Sequence, residues 1–109
     1  MKINKETQEK IDRLQLIEQN LQSILIQKQT FQGQLLEIEN ALKELTNKKD
    51  VYKIIGAIMV ASKKEDLEKE LNQKKEILDL RLKNIEKQEE KIKEGATELQ
   101  SEVMKNLKE

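Results

Sequence analysis

The segment VYKIIGAIMVA, residues 51–61, decides the fold, because it holds the longest apolar run of a chain in which 39% of the residues are charged. β-Branched and bulky side chains, which favour extended strands, lie on both sides of Gly56. A two-residue hairpin turn with glycine first requires a positive φ, and the dipeptide Gly56-Ala57 meets this requirement. The segment therefore predicts a β-hairpin. Its expected strand pairs are Lys53 with Val60, Ile54 with Met59 and Ile55 with Ile58.

The alternative is one continuous helix through this segment, which is less favoured because glycine and β-branched residues lower helix propensity. As a hairpin, the segment would present apolar side chains on both faces, interrupted only by Lys53. Isolated two-stranded hairpins are marginally stable in water, and uncovered strand edges promote association. We therefore expect other subunits to cover the hairpin. The residues assigned to oligomerisation are Val51, Tyr52, Ile54, Ile55, Gly56, Ile58, Met59 and Val60.

Seven-residue repeats of apolar side chains flank the hairpin and predict two coiled-coil helices, at about residues 5–47 and about 63–107. In the first repeat, positions a and d are Leu14, Ile17, Leu21, Ile24, Lys28, Phe31, Leu35, Ile38, Leu42 and Leu45. In the second, the apolar positions are Leu71, Leu78, Leu82, Ile85, Ile92, Ala96, Leu99 and Val103, and the polar ones are Glu68, Lys75, Glu89 and Asn106. Ser62 and Glu65 match a capping box at the start of the second helix.

An antiparallel fold-back of these helices has one preferred register. Pairing each a residue with a d residue of the other helix, as in Leu35 with Leu78, places the midpoint of every pair at the predicted Gly56 turn. The same register brings Lys28 and Glu89 to adjacent layers, so we predict a half-buried ion pair that helps to fix the register. The predicted fold is mainly α: a long antiparallel two-helix coiled coil with one central β-hairpin at its closed end.

Charge and composition exclude several classes of function. Lys and Arg number 21 and so do Asp and Glu, so no net field draws the chain to nucleic acid or to an anionic membrane. The 109 residues include no Cys and no His, which excludes disulfides, zinc sites and histidine bases, and we expect no enzyme activity and no cofactor. The start MKINKETQEK does not read as a signal peptide and no apolar run could cross a bilayer, so a cytoplasmic location is expected.

Three stretches carry a resemblance to a known family: LQSILIQKQTFQGQLLEIENALKEL (Leu21–Leu45), VYKIIGAIMV (Val51–Val60) and LEKELNQKKEILDLRLKNIEKQEEKI (Leu67–Ile92). With them the chain resembles prefoldin subunits of the β class, of the archaeal type, over essentially its whole length. The single hairpin distinguishes this class from the α class, which has two. The resemblance implies one prefoldin-like domain over residues 1–109, in a hexamer of two α and four β subunits whose strands form an oligomeric β-barrel hub.

The family function that this resemblance implies is that of an ATP-independent chaperone, a holdase. It captures unfolded proteins at the tips of the coiled coils and delivers them to a cytosolic group II chaperonin. The implied partners are prefoldin α subunits, other copies of this chain, unfolded clients and the chaperonin, with no nucleic acid and no membrane. The alternative is a structural or adaptor coiled coil without client holding; the hairpin favours the holdase, since a bare adaptor does not need it.

The a and d positions of the two helices form the seam of the predicted coiled coil. Apolar side chains that lie off this seam, or that are only half covered on it, cluster toward the two chain ends. The predicted register brings these two chain ends to the same end of the coiled coil. The residues assigned to client binding are Ile3, Ile11, Leu16, Val103, Met104 and Leu107. The alternative is that they broaden the apolar stripe and complete the coiled coil. Off-seam apolar residues farther from the ends are expected to serve structure or contacts between subunits; these are Leu25, Ile26, Leu36, Ile77 and Leu80.

Overall fold

The computed structural model of the chain describes residues 4–108, which form two long helices separated by one β-hairpin. The elements are α1 (Lys5–Leu45), β1 (Val51–Ile55), β2 (Ile58–Ser62) and α2 (Lys64–Lys108). This order confirms a mainly helical fold with a central hairpin. The first helix ends at Leu45 rather than near residue 47, and the second begins at Lys64, one residue later than expected.

The hairpin has the predicted turn and the predicted register. Its antiparallel pairs are Val51 with Ser62, Tyr52 with Ala61, Lys53 with Val60, Ile54 with Met59 and Ile55 with Ile58. Gly56 has a φ of 61°, and no other residue type adopts a positive φ within residues 4–108. A positive φ at the first turn position alone is the pattern of a type II′ turn, which suits the twist of the flanking strands. The local chemistry of Gly56 thus accounts for where the chain reverses.

The chain divides into two compact units, and each helix contributes to both. Residues Thr30–Lys83, with the hairpin, form the unit called here the hairpin unit. Residues up to Gln29 and those from Asn84 onward form the other, called the end unit. In the hairpin unit the buried apolar side chains within the described part of the chain are Leu35, Leu45, Val51 and Leu78.

The end unit is a pair of antiparallel helical segments. Lys10 contacts Glu102 at 3.4 Å and Lys28 contacts Glu89 at 3.4 Å, so residue numbers rise on α1 as they fall on α2. Among the residues the structure describes, those buried in this unit are Thr7, Ile24, Ile85 and Val103.

The buried stripe confirms the heptad assignment. Every predicted a and d position of both helices, including the polar ones, is buried or half-buried. Thr7, with 2% of its surface exposed, extends the stripe by one heptad before Leu14. Within residues 4–108 no side chain falls below 2% exposure, because a two-helix seam leaves each layer open along its flanks.

The helix starts differ from the sequence prediction. Asn4 caps α1: its Oδ1 accepts a hydrogen bond from the Thr7 amide at 2.7 Å. The capping box predicted at Ser62 is wrong. Ser62 is the last residue of β2, paired with Val51, and its hydroxyl donates to the Lys63 carbonyl at 3.5 Å. In place of a hydroxyl cap, α2 has two acidic residues, Glu65 and Asp66, in its first turn. Negative charge at this end of a helix interacts favourably with the helix dipole.

Candidate functional site

The hairpin exposes nearly all of its apolar side chains. The exposed fractions are 57% for Tyr52, 69% for Ile54, 57% for Ile55, 67% for Ile58, 66% for Met59 and 42% for Val60. Val51 is the exception at 6%. Soluble monomers rarely expose contiguous apolar patches of this kind.

The two faces of the hairpin differ in what they contact. Strand alternation places Val51 and Lys53 on one face, and the buried Val51 shows that this face packs against the rest of the hairpin unit at its base. The opposite face carries Tyr52, Ile54 and Met59, all of them exposed. An uncovered apolar face joined to unpaired strand edges is the chemistry of a surface that pairs with other strands. These geometries fit the oligomerisation role assigned to the hairpin, which stays a prediction.

A charged cluster lies beneath the hairpin. The Nζ of Lys53 is 2.8 Å from both carboxylate oxygens of Glu70 on α2, and the Nζ of Lys74 lies 3.5 Å from Glu70 Oε1. The hydrogen bond from Lys53 is the largest cause that lowers the pKa of the Glu70 carboxyl from its ordinary value of 4.5, and the charges of Lys53 and Lys74 lower it further. Near it, the Nζ of Lys64 donates to the Thr46 carbonyl at 2.9 Å, which links the end of α1 to the start of α2.

Sequence reasoning missed Glu70 as a partner. A signal was present, because Lys53 is the only charged residue in the two strands and a lysine among apolar residues normally finds an acceptor. The start of α2 offers Glu65, Asp66, Glu68 and Glu70, however, and the seam assignment alone does not choose among them.

The residues assigned to client binding belong to the end unit, and they differ from one another in how far they are exposed to solvent. Leu16 and Met104 are exposed, at 60% and 57%, and Ile11 and Leu107 are half-buried. Val103 has 7% of its surface exposed, so it lies inside the seam rather than half covered. Ile3 lies outside the described residues.

Two shallow grooves border these residues in the end unit. One, of about 370 Å³, is lined by Ile11 together with residues of both helices, among them Leu14, Leu21 and Ala96. The other, of about 410 Å³, lies on α2 and joins Met104 to Lys105 and Lys108. Both grooves are open to solvent, and each combines apolar with polar side chains.

The off-seam residues farther from the ends are exposed rather than packed. The exposed fractions are 48% for Leu25, 64% for Ile26, 59% for Leu36, 51% for Ile77 and 62% for Leu80. Ile77 lines a groove of about 460 Å³ in the hairpin unit, beside Leu71, Leu78 and the basic Lys74 and Arg81. Burial within the chain therefore does not explain these side chains.

Residues 4–108 contain neither a metal-binding cluster nor a membrane-spanning helix. No group of three or more acidic residues there is arranged to hold a metal ion. In the same range, neither long helix has a stretch apolar enough to cross a membrane.

A family model for prefoldin subunits matches residues 8–109. The chain belongs to the prefoldin family. Among its relatives, the prefoldin subunit beta of Archaeoglobus fulgidus is 38% identical over 105 residues, which cover 94% of this chain and 90% of that protein. The prefoldin subunit beta of Caldivirga maquilingensis is 35% identical over 100 residues, covering 89% of this chain and 83% of that protein.

The fold agrees with the sequence relationship. The crystal structure of the prefoldin beta subunit from Thermococcus strain KS-1 matches with a TM-score of 0.93 at 32% identity, covering 99% of this chain and 97% of that one. These likenesses confirm the predicted resemblance to the β class and its helix–hairpin–helix architecture. The chain thus belongs to a family of chaperone subunits, and its exposed hairpin is interpreted as that of a subunit rather than of a monomer.

Proposed function

We propose that this chain is the β-class subunit of an ATP-independent prefoldin holdase. It forms a single domain over residues 1–109, assembles through its hairpin with prefoldin α subunits and further copies of itself, and has no catalytic role. The assembly contains two α and four β subunits, and its strands form the β-barrel hub. It captures unfolded proteins at the coiled-coil tips and delivers them to a group II chaperonin in the cytoplasm.

The observation that supports this proposal most directly is the exposure of the hairpin. Tyr52, Ile54 and Met59 on one face, and Ile55 and Ile58 on the other, are each more than half exposed. Burying side chains of this size gains about 1.5–3 kcal/mol each, so the hairpin carries a large driving force for assembly. An adaptor coiled coil would use its helix surfaces and would not need this segment.

Client holding would use the end unit. Leu16 and Met104 are exposed and can contact a client without any change in the structure, and Ile11 and Leu107 are partly exposed. Val103 would contribute where the end of α2 separates from α1, since helix ends open locally at low cost. Contacts of this size are individually weak, and several arms holding one client add them through multivalency.

Assembly is tested by the native mass of the chain alone and mixed with a prefoldin α subunit. The expected result is a complex with the mass of two α and four β subunits. A mixture that stays as separate chains contradicts the proposal.

Client holding is tested by light scattering of guanidinium-unfolded citrate synthase diluted into the assembled complex. We expect Leu16→Ser with Met104→Ser to weaken the suppression of aggregation, because two exposed apolar contacts are lost from each coiled coil that this chain contributes. The matched control is Leu36→Ser with Leu80→Ser, which removes side chains of similar exposure, 59% and 62%, from the hairpin unit, and both variants are compared only as complexes of unchanged native mass. Equal loss in both variants, or no suppression by the unchanged complex, contradicts tip holding.

A further inference from the structure

The hairpin is joined to the two helices by connections of unequal length. Lys63 alone separates β2 from α2, whereas residues 46–50 separate α1 from β1. The short connection holds β2 at the start of α2. It does not by itself fix the rotation of the hairpin about that junction, because a single residue still has two soft backbone dihedrals.

A second tie comes from the other strand. Lys53 lies on β1, the strand that is not covalently next to α2, and its ammonium contacts both oxygens of Glu70 at 2.8 Å. The hairpin is therefore attached to α2 at two separate points, through Lys63 on β2 and through the ion pair on β1. Two attachment points on different strands define the angle between the hairpin and α2, whereas a single attachment point does not.

The surroundings of this ion pair suit a positioning role. Lys74 holds Glu70 from the next turn of α2, at 3.5 Å, so the carboxylate is oriented from both sides. Val51, two residues before Lys53 on the same face, is buried and anchors the start of β1. The bond from Lys64 to the Thr46 carbonyl, at 2.9 Å, keeps the end of α1 beside the start of α2.

The ion pair contributes little to the stability of the chain itself. The side chains of Lys53 and Glu70 are 38% and 34% exposed, and ion pairs open to solvent to this extent add little to folding. The effect of the ion pair on assembly is larger than its effect on folding, because the angle between the hairpin and α2 is repeated in every copy of the chain. An error in this angle prevents the ring of strands from closing.

We propose that the Lys53–Glu70 pair is a positioning pair for assembly: it sets the angle at which the hairpin leaves α2 so that strands of neighbouring subunits meet. The inference rests on the proposed assembly through the hairpin. It names the residues that prepare the subunit for that assembly, whereas the apolar side chains of the hairpin supply its driving force.

The first test measures the angle in the chain alone. Because the chain has no Cys, spin labels attach only at introduced sites, and Ala57→Cys with Gln73→Cys reports the distance between the turn and α2. Lys53→Met and Glu70→Gln are expected to broaden this distance distribution, and Lys53→Arg to keep it narrow. The matched control is Lys75→Met, which breaks the 3.8 Å ion pair to Glu39 in the same unit. An unchanged distribution in Lys53→Met overturns the inference.

The second test measures assembly with the α subunit by native mass at a series of concentrations. Lys53→Met and Glu70→Gln are expected to weaken assembly several-fold each, with little change in unfolding temperature, and the Lys75→Met control to assemble normally. The double variant should lose no more than either single one, since both remove the same interaction. Normal assembly of Lys53→Met, or additive losses, overturns the inference.

The two tests separate this inference from the proposed function. Failure of the unchanged chain to assemble is a failure of the proposed function. The distance measurement still tests whether the Lys53–Glu70 pair sets the angle of the hairpin, because it requires no partner chain.

Discussion

Lys28 and Glu89 form a half-buried ion pair on the seam of the end unit, with 3.4 Å between Nζ and Oε1 and side chains 25% and 16% exposed. Lys93, one turn further along α2, also approaches Glu89, at 3.7 Å. The heptad register predicts this pair, and the structure confirms the contact. Its role in fixing the register stays a prediction.

Replacing both residues, Lys28→Leu with Glu89→Leu, should keep or raise the unfolding temperature but loosen the register, because apolar replacement of a half-buried pair is often neutral or stabilising. Oxidative cross-linking measures the register. Leu14→Cys with Leu99→Cys reports the native register, and Leu14→Cys with Ile92→Cys reports a slip of one heptad. We expect the slipped pair to cross-link only in the double leucine background.

No cross-link at the slipped positions in that background would contradict the register role. The single substitution Glu89→Leu serves as the control for charge, because it leaves the Lys28 ammonium half-buried without its partner. It is expected to lower the unfolding temperature.

Gly56 supplies a backbone conformation that other residues adopt with strain. Gly56→Ala is expected to destabilise the hairpin unit by about 1–2 kcal/mol, because φ is 61° and a Cβ there costs conformational energy. The cost comes from the backbone alone, since an added Cβ meets nothing within 4 Å. The measurement is the denaturant midpoint of unfolding, with the denaturant dependence unchanged.

The helical glycines give a control of opposite sign. An added Cβ at Gly33 or Gly95 also meets nothing within 4 Å, and both lie inside helices. Gly33→Ala and Gly95→Ala should each stabilise the chain by up to about 1 kcal/mol, because alanine has the higher helix propensity. Stabilisation by Gly56→Ala as well would show that the turn does not require glycine.

The Asn4 cap predicts a local effect at the start of α1. Asn4→Ala should cost about 1 kcal/mol, because the Thr7 amide loses the acceptor it has at 2.7 Å. Hydrogen exchange at the Thr7 amide should become faster while exchange in the hairpin strands is unchanged. Asn4→Asp is the matched control and should keep the slow exchange; equally fast exchange in both variants would contradict capping through the side-chain oxygen.

Acid should weaken the contact between the hairpin and α2. The Lys53 hydrogen bond lowers the pKa of Glu70 in the folded chain, so its contribution to stability is present above the ordinary pKa of 4.5 and is lost as the pH falls through the lowered value. The distance distribution of the Ala57→Cys, Gln73→Cys chain should therefore broaden below about pH 4.5 and come to resemble that of the Glu70→Gln variant, whose own distribution should not depend on pH in this range. A distribution that is as narrow at pH 3 as at pH 6 would contradict this linkage.

The sequence predicts the seam and the hairpin well because both depend on repeating or local chemistry. The heptads assign Leu35, Leu78 and their equivalents without knowledge of the fold, and Gly56 marks the turn by its own conformational preference. The structure confirms both, down to the pairing of Lys53 with Val60.

The predictions that failed or were missed concern side chains with competing uses. Ser62 matches a capping box, but pairing with Val51 places it in β2, so strand pairing overrode the local helix signal. The sequence predicts Val103 as half covered on the seam, yet it is 7% exposed. The Lys10 ammonium contacts Glu102 at 3.4 Å, which shows that a long side chain can lie across the seam with its charge at the edge.

The position of the turn at Gly56 also predicts the order in which the contacts of the hairpin unit form during folding. The strand pairs join residues 3 to 11 positions apart, the Lys53–Glu70 contact joins residues 17 positions apart, and the contact of Glu39 with Lys75 spans a longer segment. Loop closure costs more entropy as the loop grows, and each inner contact shortens the loop that the next one must close. We therefore expect the long-range contacts of the hairpin unit to form outward from Gly56, with the strand pairs already present in the transition state.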